Sequence, residues 1–167
     1  QRRGGRSMAI SVGDKVPDVK LMTMTAEGPR PVQSGDVLGS GKVVLFAVPG
    51  AFTPTCSDHH LPGFVLRADD LKAKGVDTVA CVAVNDPFVM GAWGQVQNTK
   101  GAVTMLADGN GEFAAAMGLE LDGSGFGLGT RSQRYAAIIE DGVVTDLAVE
   151  SKPGVDVSSA DAVLAKL

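Results

Sequence analysis

Cys56 and Cys81 are the only two cysteines in the 167 residues, and the loop around Cys56 is suited to thiol chemistry. It reads Pro49-Gly50-Ala51-Phe52-Thr53-Pro54-Thr55-Cys56-Ser57. A cysteine reacts as its thiolate, and a free thiol is mostly protonated at neutral pH. Cys56 follows Pro54 in the first turn of an expected helix, where unpaired N–H groups and the positive end of the helix dipole favour negative charge. Such positions bring a cysteine pKa to somewhere around 3.5–7.5. Thr53 lies three residues back, and its hydroxyl can both donate and accept hydrogen bonds. Pro49 and Pro54 stiffen the loop. On position alone, Cys56 fits two descriptions: a reactive thiolate, or an inert cysteine buried at a strand-to-helix turn.

Other chemistries are weaker in the sequence. His59 and His60 are adjacent, so on a helix they point in different directions and suit shared metal ligation poorly; no metal is expected. Gly123-Ser124-Gly125-Phe126-Gly127-Leu128-Gly129 has the composition of a nucleotide loop but does not join a strand to a helix, and reads instead as a surface loop. Asp108, Asn110 and Glu112 echo a calcium loop without its required glycine and distal glutamate. Trp93, Phe88 and Met90 are assigned to packing, and His60 is given no chemistry. Phe52 is placed in a pocket wall or a dimer contact.

The positioning elements follow from periodicity. Lys42 to Val48 is a short apolar run, as in a strand buried on both faces, and it ends at Pro49-Gly50. After Pro54, Leu61, Phe64, Val65, Ala68 and Leu71 recur at helical steps, and Gly75 closes that helix. Asp77 to Val84 is a second buried strand, stopped by Asn85-Asp86-Pro87. Phe88 to Val96 and Gly111 to Met117 read as helices. Tyr135 to Glu140 and Val143 to Val149 form a hairpin across Asp141-Gly142, a type I′ signal. Ser158 to Leu167 reads as a terminal helix, with Ser158 and Asp161 spaced as a capping box. A right-handed crossover makes the first two strands parallel neighbours. The expected fold is therefore α/β and thioredoxin-like, with a central mixed sheet flanked by helices. Ligand chemistry in such sheets belongs at the carboxyl ends of the strands, where the loop from Pro49 to Cys56 begins.

Composition sets the frame. One domain is expected, over residues 8–167, preceded by the tail Gln1 to Ser7, which carries Arg2, Arg3 and Arg6. The net charge is −4, which disfavours a nucleic-acid or anionic-membrane partner. The longest apolar runs, Val43 to Val48 and Val79 to Val84, fall far short of the roughly 18 residues of a membrane span. Two cysteines in a chain able to build a real core indicate a reducing compartment rather than a disulfide scaffold. The basic tail fits either a transit-peptide remnant, which would place the chain in the chloroplast stroma, or a frayed terminus, leaving the cytoplasm.

Pro49, Thr53 and Cys56 match the Pro-x-x-x-Thr-x-x-Cys signature of the peroxiredoxins. The run PGAFTPTCS with His60 and Pro62-Gly63-Phe64 resembles the type II (atypical) branch of plants and algae. The resemblance continues through Cys81, Val84-Asn85-Asp86-Pro87-Phe88-Val89-Met90, Trp93, Leu106-Ala107-Asp108-Gly109 and Gly127-Leu128-Gly129-Thr130-Arg131-Ser132, and covers essentially Met8 to Leu167.

That resemblance implies a thiol-dependent peroxidase acting on hydrogen peroxide and alkyl hydroperoxides, an antioxidant role, no cofactor, and a non-covalent homodimer. Cys56 would be oxidised to a sulfenic acid. Thr53 would hold the peroxide, and Pro49 would shield the loop. The family arginine before an aromatic at the start of a late strand matches Arg134 before Tyr135, with Arg131 as the nearby competitor. The reductant would be glutaredoxin, glutathione or thioredoxin. A redox sensor that passes oxidation from Cys56 to a partner protein would keep the same residues. Some family members resolve the sulfenic acid with a second cysteine. Here Cys81 lies inside its strand, about four residues before Asn85, which at about 3.3 Å per residue is roughly 13 Å below the active-site end. A disulfide needs Cα atoms within about 7 Å, so Cys81 is expected to fill the core, with resolution through local unfolding as the alternative.

Overall fold

The computed structural model describes residues 9–167; the tail Gln1 to Ser7 and the boundary at Met8 lie outside the described residues. The chain opens with strands β1 (Lys20–Thr25) and β2 (Gly28–Gln33), a short helix α1 (Ser34–Val37) and strand β3 (Lys42–Ala47). A π-helical turn (Cys56–His60) then leads into α2 (Leu61–Leu66) and α3 (Ala68–Ala73). Next come β4 (Thr78–Ala83), α4 (Pro87–Val96), β5 (Thr104–Ala107), α5 (Glu112–Met117), β6 (Glu120–Asp122) and β7 (Thr130–Ser132). The chain ends with β8 (Tyr135–Glu140), β9 (Val143–Val149) and α6 (Ala160–Leu164).

Seven strands form one mixed sheet in the order β2-β1-β5-β4-β3-β8-β9. β3, β4 and β5 are parallel neighbours, and β8 closes antiparallel on β3. This is the mixed-sheet α/β architecture the periodicity predicts. Alternation along β3 and β4 sorts the core into two layers. Val44, Phe46, Val48, Cys81 and Ala83 face one layer with Cys56, Leu61, Phe64 and Trp93. Val43, Leu45, Ala47 and Val82 face the other, with Phe113, Met117 and Tyr135. Phe46 and Phe64 stack at 4.0 Å between centroids, which ties α2 to the sheet; truncating Phe64 to alanine would destabilise the fold by about 3–5 kcal/mol.

The helix after Pro54 has a defect at its start. In a regular helix the N–H of residue 62 would pair with the carbonyl of residue 58, but Pro62 has no N–H and its ring clashes with that carbonyl. The backbone widens by one residue there, and the Leu61 N–H bonds the Cys56 carbonyl instead. Such widened turns recur at functional sites.

Several boundaries differ from the sequence reading. The terminal helix is capped by Ser159, whose hydroxyl accepts from the Ala162 N–H at 3.0 Å, and not by a Ser158–Asp161 box. Ser158 is fully buried and bound to Glu150, while Asp161 accepts from Arg67. Phe88 is 64% exposed rather than packed. Arg131 lies in β7 and Arg134 just ahead of β8. The glycine-rich segment joins the antiparallel strands β6 and β7, and the Asp108 carboxylate caps α5 by accepting from Phe113 and Ala114 N–H. Among the described residues, no helix is long and apolar enough to cross a membrane.

Candidate active site

β3 delivers the Pro49–Thr55 loop at its carboxyl end. The loop is tied to the end of the neighbouring strand by the Ala51 N–H, which donates to Asn85 Oδ1 at 2.9 Å. Space at Gly50 is tight: a Cβ on it would meet Arg131 Nη1 at 3.0 Å and the Thr53 methyl at 3.3 Å, so those side chains would have to give way slightly. Phe52 holds a left-handed φ of 66°, a conformation that non-glycine residues adopt rarely and that clusters at functional loops.

Cys56 opens the π-helical turn and is fully buried. Across the site, Arg134 Nη2 donates to Cys56 Sγ at 3.1 Å. A cationic donor at that distance sets positive charge and an N–H directly against the sulfur. Arg131 stands elsewhere: its guanidinium donates to the Leu128 and Pro49 carbonyls at 2.9 and 3.3 Å, and so braces the loop from behind. The Thr53 hydroxyl donates to the Gly50 carbonyl at 2.7 Å and makes no hydrogen bond to the sulfur. With its proton committed, its lone pairs remain to accept a hydrogen from a substrate. Pro49 lines a cavity of about 400 Å³ together with Thr55, Leu121, Gln133, Arg134 and Pro153; this cavity reaches the arginine that touches the sulfur. Among the described residues no cluster of three or more histidine, cysteine or acidic side chains could hold a metal ion.

His60 received no chemical role from the sequence, yet it belongs to this site. It is 1% exposed. Its Nδ1 lies 2.9 Å from Arg134 Nη1 and its Nε2 lies 2.9 Å from the Ser158 carbonyl oxygen. Burial lowers its pKa to about 4 and the Arg134 charge adds to this, while the Ser158 carbonyl and Glu150 pull the other way. One signal in the sequence pointed here: Cys56 and His60 are four residues apart, a spacing that puts both on one helix face. Ser57 holds the outer side of the turn, accepting from Trp93 Nε1 at 3.0 Å and, through its carbonyl, from Gln97 Nε2 at 3.2 Å.

Cys81 is fully buried in β4, opposite Phe46 on one side and Met105 on the other. It faces the same apolar layer as Cys56, and both cysteines are free. Burial, followed by the proximity of Cys56, pushes its thiol well above the ordinary range.

A buried cysteine at the carboxyl end of a central parallel strand, met by an arginine from the antiparallel side of a mixed sheet, defines a thioredoxin-fold thiol enzyme. The redoxin family model matches residues 11–164. Peroxiredoxin-2B of Arabidopsis thaliana is 48% identical over 159 residues, which span 95% of this chain and 98% of that protein. Chloroplastic peroxiredoxin-2E of the same plant is 46% identical over 163 residues, spanning 95% of this chain and 70% of its own. The structure of reduced Prx3 from Vibrio vulnificus in complex with hydrogen peroxide superposes with a TM-score of 0.89 at 53% identity, covering 94% of this chain and 98% of that one. The chain belongs to the peroxiredoxins, in the type II branch found in plants, and is a thiol-dependent peroxidase.

Proposed function

We propose that the enzyme reduces hydrogen peroxide and alkyl hydroperoxides on Cys56 and is recycled by glutaredoxin with glutathione, or by thioredoxin. The observation that carries this reading is the 3.1 Å contact between Arg134 Nη2 and Cys56 Sγ. The thiolate attacks one peroxide oxygen, forming an S–O bond as the O–O bond breaks. Sulfur loses two electrons, and the leaving oxygen departs as water or alcohol once it takes a proton. Thr53 Oγ1 accepts a hydrogen bond from the peroxide, and Arg134 stabilises charge on its oxygens as the bond breaks. Pro49 keeps bulk water off the sulfur. The cavity beside Arg134, with Leu121 and Pro153 in its wall, supports room for an alkyl group. A thiol reductant then attacks the sulfenic acid, releases water and leaves a mixed disulfide, which a second thiol reduces.

Peroxide consumption by purified protein with each reductant in turn tests the reading. Many turnovers with at least one reductant are expected, and none after Cys56→Ser. A single equivalent consumed with every reductant would instead identify a redox sensor. The exposed rings of Phe52 and Phe88 lie on segments joined by the Ala51–Asn85 bond and support a homodimer that packs beside the active-site loop; sedimentation of Phe52→Asp and Phe88→Asp variants tests it. Kinship with a protein named chloroplastic supports a stromal location, which import of the full chain into isolated chloroplasts tests.

A further inference from the structure

We infer that His60 is a positioning residue, which holds the Arg134 guanidinium against the Cys56 sulfur by accepting a hydrogen bond at Nδ1. The inference rests on the proposed role of Arg134 at the sulfur.

The two contacts of the imidazole admit one arrangement of hydrogens. A carbonyl oxygen only accepts, so the Nε2 atom 2.9 Å from the Ser158 oxygen carries the hydrogen. A guanidinium only donates, so the Nδ1 atom 2.9 Å from Arg134 Nη1 presents its lone pair. The ring is thus a neutral imidazole protonated on Nε2. Its burial and its low pKa of about 4 agree with this. The ring also lies against two aromatics, 5.0 Å from Phe46 and 5.7 Å from Phe64 between centroids, so its plane is fixed by packing as well as by polar contacts.

Arg134 therefore makes two side-chain bonds, one to the sulfur through Nη2 and one to His60 through Nη1. A planar, rigid fork held at two points cannot turn about its long stem, whereas one held at a single point can. The back of the chain is equally anchored. Glu150 Oε2 accepts from Ser158 Oγ at 2.6 Å, from Ser158 N–H at 2.8 Å and from Asp156 N–H at 2.7 Å. The Glu150 N–H donates to the Arg134 carbonyl at 3.0 Å. One acidic residue thus fixes both the carbonyl that orients His60 and the backbone that launches Arg134. A continuous hydrogen-bonded path runs Glu150, Ser158, His60, Arg134, Cys56.

The test compares His60→Phe, which keeps an aromatic ring against Phe46 and Phe64 but removes the acceptor, with His60→Asn, whose amide oxygen can replace Nδ1. The readouts are the rate of Cys56 oxidation in a single turnover with hydrogen peroxide and the melting temperature. His60→Phe is expected to slow oxidation roughly 10- to 100-fold, the loss of one hydrogen bond to a charged group. His60→Asn is expected to recover most of that loss. Adding His60→Phe to Arg134→Ala should slow the reaction little further. Wild-type oxidation in His60→Phe alongside slow Arg134→Ala would overturn the positioning role and leave the proposed function intact. Wild-type rates in Arg134→Ala itself would overturn the proposed role of that arginine. Nitrogen NMR of the wild-type protein at neutral pH decides independently of any variant: the hydrogen should be on His60 Nε2, and a hydrogen on Nδ1 sinks the inference.

Discussion

Arg134 and Cys56 are 78 positions apart in sequence, yet a guanidinium nitrogen of one stands 3.1 Å from the sulfur of the other. The register of β8 against β3 brings this about: Tyr135 pairs with Ala47, so the residue before β8 emerges at the same sheet end as the loop after β3. Truncating Arg134 to alanine removes the cationic donor without disturbing the strand. Arg134→Ala is expected to slow Cys56 oxidation by about 10²–10³-fold, as for loss of one donor aimed at developing charge. Arg131→Ala, which loses the bonds to the Leu128 and Pro49 carbonyls but no contact with the sulfur, should cost about tenfold or less. Stopped-flow oxidation of both variants checks the difference, and equal losses would contradict the assignment.

The hydrogen bond from Thr53 Oγ1 to the Gly50 carbonyl sets up a second comparison. Thr53→Val keeps the volume but leaves that carbonyl without its donor and, on the role proposed for Thr53, the peroxide without its acceptor. Thr53→Ser restores both. Thr53→Val is expected to lower kcat/KM for hydrogen peroxide roughly 10- to 100-fold, and Thr53→Ser to stay within a few-fold of wild type. If the serine variant is as slow as the valine one, the methyl group rather than the hydroxyl matters.

His60 gives the fold an acid sensitivity whose sign is fixed. Its folded-state pKa of about 4 lies below the ordinary 6.5, chiefly through burial. Above pH 6.5 both folded and unfolded chains hold it neutral, and its contribution to stability is fully present. As pH falls from 6.5 towards 4 the unfolded chain takes up a proton that the folded one refuses, and stability declines by roughly 3 kcal/mol in all. Glu150 acts in the same direction: burial opposes it, but the bonds from Ser158 and Asp156 outweigh burial and hold its carboxyl below the usual range. Urea unfolding at pH 7 and at pH 4.5 should show wild type losing markedly more stability on acidification than His60→Phe. Parallel losses in the two proteins would contradict this account.

Much of this architecture is legible in the residues. Leu61, Phe64, Ala68 and Leu71 repeat at helical steps and are all buried. Asp141 and Gly142 both carry positive φ, 50° and 84°, as a type I′ turn requires. The hairpin of β1 and β2 is not legible, because Pro29 and Pro31 argue against a strand; β2 is an edge strand, where proline is tolerated. The cap of α6 is misplaced by one residue because Ser158 and Ser159 are alike in sequence, and only the distant Glu150 claims the first of them. The role of His60 is hidden for the same kind of reason. Its partners, Arg134 and Ser158, lie 74 and 98 positions away, and local pattern carries no information about pairings at that range.

Cys81 remains the sharpest question for turnover. Its side chain faces the layer that holds Cys56, so the two thiols share a core, but Cys81 sits inside β4 with strands on both sides, opposite Phe46 and Met105. From its place inside the strand we expect that joining its sulfur to Cys56 needs the π-helical turn to unwind or β4 to leave the sheet. Its buried thiol is held well above the ordinary pKa range, and a protonated thiol neither attacks a sulfenic acid quickly nor exchanges with a disulfide. We therefore expect Cys81→Ala to keep near-normal turnover with glutaredoxin and glutathione. Cys81→Ser places a hydroxyl in an apolar layer and should lower stability by about 1–3 kcal/mol, so its melting temperature is measured alongside its activity. Mass spectrometry of the wild-type protein after one equivalent of peroxide, without reductant, should find sulfenic acid or its trapped adduct on Cys56 and a free thiol on Cys81. An intramolecular Cys56–Cys81 disulfide under those conditions, with turnover lost in Cys81→Ala, would show that the helix unwinds readily enough for Cys81 to resolve.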